Sequence, residues 1–334
     1  MSKSNKKKNA VNTNIQSILE QVKVRDFYGT RKVFFTLSAI LMVVVLLCCF
    51  IFGVNISIEF KGGTLSTYSY TGDINESDIA SLAKDYLGTA VNVQTGEAFT
   101  GEKEKTFTLS FSMKKAFSSE MQDEMLSKLQ EKYPDSNIQA LETNDVAAKS
   151  GKKFLAKCLV AAIFASVVLI LYISWRFKRI SGWSAGIFAV VALLHDLVIV
   201  FGTFILCRFE IDSNFMAVIL TILGYSVNDT IVIYDRIREN QNLLPAGTKL
   251  PELVNISLSQ TIRRTIRTSI TTITAMLIVS ILAVTNNVSS ILRFSIPMTA
   301  GMISGCYSSL CLAPMLWTAW KTRVKKESTA TTEE

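Results

Sequence analysis

At 334 residues, with 49% hydrophobic residues and a mean hydropathy of +0.33, the chain carries too much apolar surface for a soluble protein of its length. Its formal net charge of +8 is unevenly divided: residues 54–150 hold nine Lys+Arg against fifteen Asp+Glu, a balance of −6, which leaves +14 elsewhere. Uniform basicity would point to nucleic acid, whereas basic tails and short loops around an acidic insert point to a membrane protein and exclude a nucleic-acid binder.

A hydrocarbon layer ~30 Å thick takes about 20 helical residues to cross. Residues 1–32 are expected to be a cytoplasmic tail, basic at Lys3, Lys6, Lys7, Lys8, Lys23, Arg25, Arg31 and Lys32. The first apolar run, 33–53, leads into Asn55-Ile56-Ser57 rather than a small-residue cleavage site, so it is expected to stay as an anchor. Residues 54–150 are polar and long enough to fold as a separate domain. Within them, 65–70 and 106–111 alternate with period two, and 91–94 and 138–141 are short and β-like. Ile79, Leu82, Ala83 and Tyr86 mark a helix over 75–87, and Met121, Met125 and Leu129 mark another over 118–132. The order β-α-β-β-α-β predicts a ferredoxin-like α+β domain.

Residues 151–320 carry five more apolar runs, near 153–175, 182–206, 213–234, 267–285 and 294–320, and 321–334 form a second basic tail. Six spans place both tails, the 176–181 turn and the Arg-rich 235–266 loop on one side. The positive-inside bias then sets both termini in the cytoplasm and residues 54–150 outside. The expected fold is therefore an α-helical polytopic membrane protein of six transmembrane helices with one extracytoplasmic domain. All six cysteines lie in or beside the spans, so the external domain is expected to hold no disulfide.

Ionisable groups inside spans are costly and each is a functional candidate. Asp229 lies six residues, or about 9 Å, inside Asp235-Arg236, which should mark the cytoplasmic interface. A carboxylate is too short to snorkel that far. Asp229 must face a partner, face a water-filled cavity or carry a proton; the alternative is a structural acid bonded to hydroxyls on a neighbouring helix. Tyr225 and Ser226 lie one turn away on the same face. Six of the ten residues from Thr265 to Thr274 are Ser or Thr, a wet face suited to a hydrated half-channel, while Arg263, Arg264 and Arg267 also read as snorkelling anchors. His195 and Asp196, mid-span, point about 100° apart on a helix and so are not expected to form one catalytic pair. Asp196 reads equally as hydrogen-bonded to the fourth span or as part of a proton relay.

Two apparent motifs fail on context. Gly96 and Gly101 have P-loop spacing, but Glu102 stands where Lys is required. Gly182-Trp183-Ser184-Ala185-Gly186 matches a nucleophile elbow yet begins a membrane helix; Gly182, Gly186, Gly301 and Gly305 are expected instead to allow close helix packing. One His without a Cys or carboxylate cluster argues against a metal. No catalytic residue and no cofactor is expected, and the chain is not expected to be an enzyme.

Three features together resemble the bacterial SecF family. They are Glu59-Phe60-Lys61-Gly62-Gly63-Thr64 after the first span, Leu194-His195-Asp196 in the third, and Gly224-Tyr225-Ser226-Val227-Asn228-Asp229 running into Tyr234-Asp235-Arg236-Ile237-Arg238-Glu239-Asn240. Gln260-Thr261-Ile262-Arg263-Arg264-Thr265 follows the last. Glu59 stands where the family has Asp, which keeps the charge. The resemblance implies an accessory translocase subunit of the inner membrane, related to the resistance–nodulation–division (RND) transporters. It would pair with SecD beside the SecYEG channel and use a proton or sodium motive force to promote export of preproteins. It also implies that Asp229 and Arg264 belong to an ion pathway completed by an acid of SecD, with Asn228, Tyr225, His195, Asp196 and Thr268 as supporting polar residues. An RND-type exporter of small molecules or lipids is the alternative from a different class.

Overall fold

The computed structural model describes residues 24–97, 105–112, 117–146, 148–180, 182–245, 247–286 and 288–330. Lys3 to Lys23 of the basic tail, and Gly101 and Glu102 of the P-loop-like stretch, lie outside the described residues. Among the described residues, six helices are long and apolar enough to cross a membrane: Arg31–Phe52, Gly151–Arg176, Gly182–Leu206, Ser213–Leu243, Leu250–Thr285 and Ser290–Val324.

The first span, α1 (Arg31–Phe52), leads through a helical turn, α2 (Ile58–Lys61), into the polar region. Gly62 and Gly63 both take positive φ, 86° and 155°, and a Cβ on Gly63 would come 2.5 Å from the Phe111 carbonyl oxygen. Only glycine fits this entry into the sheet. Strands β1 (Gly63–Tyr70), β2 (Val91–Glu97), β3 (Lys105–Phe111) and β4 (Gln139–Val146) pair antiparallel in the order β2-β3-β1-β4. That is the ferredoxin-like order. Helices α3 (Glu76–Leu87) and α4 (Ser119–Lys132) begin at capping side chains, Asn75 accepting from the Ser77 amide and Ser118 from the Met121 amide. They cover one sheet face, packing Ile79, Ala83, Met125 and Leu129 on Tyr68, Tyr70, Phe107, Leu109 and Phe111.

The remaining spans are α5 (Ala148–Arg176), α6 (Gly182–Leu206), α7 (Ser213–Leu243), α8 (Leu250–Thr285) and the pair α9 (Ser289–Tyr307) and α10 (Ala313–Ala330). Leu159, Val160, Ile163 and Phe164 of α5 are all exposed, as suits a helix facing lipid. The sixth span is the most enclosed. Pro297 lies inside α9, and a π turn, Ser308–Leu312, joins α9 to α10 just before Pro314.

The glycines mark where helices touch. A Cβ on Gly182 would overlap the Ser174 carbonyl oxygen, and one on Gly301 would sit 2.7 Å from Ile222. Gly305 lies against Ser226, which draws the sixth span onto the fourth.

Candidate functional site

The sheet-bearing region is seated on the N-terminal end of the fourth span. Ser57 N donates to Ile211 O at 3.0 Å, Ile211 N to Asn55 O at 2.7 Å, and Ser213 N to Glu59 Oε2 at 3.0 Å. Asp212 caps α7 by accepting from the Phe215 amide. Phe60 is buried among Val200, Phe204, Phe215 and Met302. From β2, Asn92 Nδ2 donates to Glu210 Oε1 at 2.6 Å. Burial raises the Glu210 carboxyl above the ordinary carboxylate range, with Arg293 and Asn92 opposing the shift.

Deeper in the bundle, Asp196 of α6 is fully buried and acts as a hub for three other segments. Its Oδ2 accepts from Ser226 Oγ of α7 at 2.8 Å and Ser308 Oγ of the π turn at 2.7 Å; its Oδ1 accepts from Ser304 Oγ of α9 at 2.6 Å. Ser309 Oγ then donates to Ser226 O at 3.0 Å and lies 2.9 Å from Thr230 Oγ1. The π turn makes this possible. Ala313 N bonds to Ser308 O, a five-residue step, and the widened turn directs Ser308 and Ser309 inward together.

His195 Nδ1 lies 3.4 Å from Asp196 Oδ1 and 3.5 Å from Ser304 Oγ. The 100° separation expected between neighbouring helical positions does not keep these side chains apart, because both reach back to Ser304. Asp196 is thus bonded to the fourth span, one of the two readings the sequence left open.

Asp229 is also buried, 5% exposed, but its surroundings are of another kind. Ser269 of α8 lies against it, and Arg264 is near enough to act through its charge. Among the described residues, Asp229 Oδ2, Ser269 Oγ and Thr265 Oγ1 find no partner at hydrogen-bond geometry. A buried carboxylate oxygen left open is costly in a membrane unless a proton, a cation or water occupies it. No Arg264–Asp229 ion pair is found among the described residues; Arg264 is exposed on α8.

The other expected polar residues divide between two surfaces. Tyr225 OH meets Thr272 Oγ1 of α8 at 2.7 Å, while Ser226 turns to Asp196, so the two part company although they share a helical turn. Asn228 is exposed, as is Thr268, whose hydroxyl bonds back to Arg264 O at 3.0 Å. With Thr221 and Gly224 of α7 and Arg267 and Thr271 of α8, they make a polar outer face within two spans. Its threonine hydroxyls bond back to their own helices, but lipid tails cannot satisfy Asn228, Arg264 and Arg267. Ser304, Ser308 and Ser309 had no place in the sequence expectations, though two serines four residues apart in an apolar helix were a readable sign of one polar stripe.

Fold and site together define a polytopic membrane protein whose ferredoxin-like domain sits on a helix carrying a buried, open carboxylate. The family model described as protein export membrane protein SecD/SecF, C-terminal, matches residues 125–323. Protein translocase subunit SecF of Petrotoga mobilis is 31% identical over 91% of this chain and 99% of its own length. The chain is 33% identical to protein translocase subunit SecDF of Bacillus subtilis over 91% of itself, but spans only 39% of that longer protein. The crystal structure of SecDF, a translocon-associated membrane protein, from Thermus thermophilus matches with a TM-score of 0.72 at 28% identity, over 90% of this chain and 39% of that one. The chain belongs to the SecF family of protein translocase subunits.

Proposed function

We propose that this chain is the SecF half of an ion-driven accessory motor. It pairs with SecD beside the SecYEG channel of the cytoplasmic membrane and draws preproteins outward. Both termini lie in the cytoplasm and residues 54–150 lie outside. The observation that carries this reading is Asp229 with its unpartnered oxygen, near Arg264. Protonation or cation binding there neutralises the acid, and loss of the ion restores its attraction to the guanidinium; motion of α7 against α8 is thereby linked to ion movement. One elementary charge crossing 100 mV releases ~2.3 kcal/mol, so several would drive one sizeable domain movement.

The seat of the external domain supports the mechanical half. Glu59 accepts from the first amide of α7, and Asp229 lies sixteen residues further along that helix, about 24 Å at 1.5 Å per residue. A tilt of α7 around its ion site would reach the domain through this contact. The polar outer face around Asn228 and Arg264 is where an acidic membrane helix of SecD would complete the pathway, and relatives in which both halves are named as one SecDF protein favour that pairing.

The test is Asp229→Asn. The variant is expected to insert, to co-purify with SecD and to fail in supporting export; normal export would remove Asp229 from the mechanism. Proteoliposomes holding SecD with wild type or this variant, under imposed pH and Na⁺ gradients, distinguish proton from sodium coupling.

A further inference from the structure

Helices α7 and α8 run antiparallel, and three side-chain contacts fix their register. Arg236 Nε donates to Gln260 Oε1 at 2.6 Å, Asn240 Nδ2 donates to Ser257 Oγ at 2.8 Å, and Tyr225 OH meets Thr272 Oγ1 at 2.7 Å. By this register Asp229 stands level with Thr268. Thr265 and Ser269 lie three residues before and one residue after that level, about 4.5 and 1.5 Å along the axis, and their spacing of four puts them on one stripe. That stripe is buried: Thr265 and Ser269 are each 2% exposed, against 5% for Asp229.

These two hydroxyls behave unlike others on the same helix. Those of Ser257, Ser259, Thr261, Thr272 and Ser280 each bond back to a carbonyl four residues earlier. Thr265 Oγ1 and Ser269 Oγ make no such bond. With Asp229 Oδ2 they are three buried oxygens without a hydrogen-bond partner among the described residues. Each unused polar atom is costly there, and three together point to one ligand that they share.

We infer that Thr265 and Ser269, with Asp229, are the ligands of one Na⁺ ion, and that they select it over a proton. The assignment rests on the ion-site reading of Asp229 and deepens it. Oxygen ligands suit a hard cation. A proton on Asp229 Oδ2 can be given to only one hydroxyl at a time. A cation takes a lone pair from each, and each O–H stays free to turn back to the carbonyl of the preceding turn. Charge sets the valence: one carboxylate neutralises one monovalent ion, whereas a divalent ion would leave surplus positive charge buried near Arg264. Three short side chains on two packed helices make a tight site, which favours Na⁺ over the larger K⁺.

The experiment is equilibrium binding of radioactive Na⁺ to the purified full chain in mild detergent. Wild type should bind one ion, and Asp229→Asn should abolish binding. Thr265→Val and Ser269→Ala should each weaken it about tenfold, as loss of a bond to a charged group predicts. Thr265→Ser, which keeps the hydroxyl, should bind as wild type does, and so should Ser280→Ala further along α8. No binding by wild type, unchanged binding in both hydroxyl variants, or displacement by K⁺ as readily as by unlabelled Na⁺ would overturn the assignment. The two readings fail separately. If wild type binds no Na⁺ yet Asp229→Asn still stops export, only the sodium assignment falls; if Asp229→Asn exports normally, the motor reading falls, whatever the chain binds.

Discussion

Asp196 and Asp229 are both buried in the same helix bundle, and their neighbours treat them in opposite ways. Asp196 accepts three serine hydroxyls from three segments, so both of its oxygens are used. Asn at that position would turn an N–H₂ toward hydroxyls that need an acceptor. Asp196→Asn is therefore expected to cost about 3 kcal/mol, read from thermal unfolding of the detergent-purified chain. Asp229→Asn should leave stability within about 0.5 kcal/mol or raise it, because it removes a charge whose Oδ2 has no partner. If both substitutions destabilise alike, Asp229 is a structural acid and the proposed motor loses its ion carrier.

At the scale of the element, close approach of helices decides what each position tolerates. A Cβ on Gly182 would strike the backbone oxygen of Ser174, which cannot rotate aside. Gly182→Ala is expected to lower stability by roughly 1–3 kcal/mol in the same unfolding assay. Gly224 is also helical but exposed, with open space where its Cβ would stand. Gly224→Ala should leave the isolated chain as stable, or up to ~1 kcal/mol more so, from helix propensity alone. If the α7–α8 face receives a helix of SecD, that substitution should nevertheless weaken co-purification with SecD. An unchanged yield of the complex would place the partner elsewhere.

For the whole molecule, the decisive contact is the one between the sheet and the helix bundle. Glu210 accepts from Asn92 in a partly buried site, and burial raises its carboxyl above the ordinary value. If the sheet supplies that burial, the seated state holds a proton that the separated state releases, and seating weakens as pH rises from the ordinary carboxylate value through the raised one. Hydrogen exchange over residues 91–97 should quicken across that window in wild type. In Glu210→Gln, which keeps an acceptor for Asn92 and cannot ionise, the exchange should not change with pH beyond its intrinsic dependence. The same rise in both proteins would show that Glu210 does not hold the domain.

The sequence alone determined what depends on neighbours along the chain. Period-two and helical patterns define the β-α-β-β-α-β order, and runs of about twenty apolar residues define six spans, because each follows from local backbone geometry and the thickness of the bilayer. The candidacy of Asp229 was legible for the same reason, since its depth is a count of residues from Asp235. Partnerships were not. Ser304 and Ser308 reach Asp196 across 108 and 112 residues, through a π turn that alters which side chains face inward. Likewise only packing decided that Asn228, Arg264 and Thr268 look outward while Asp229 looks in. Helical spacing sets the angle between residues on one helix, but the face that meets a neighbour is chosen when six helices pack against each other.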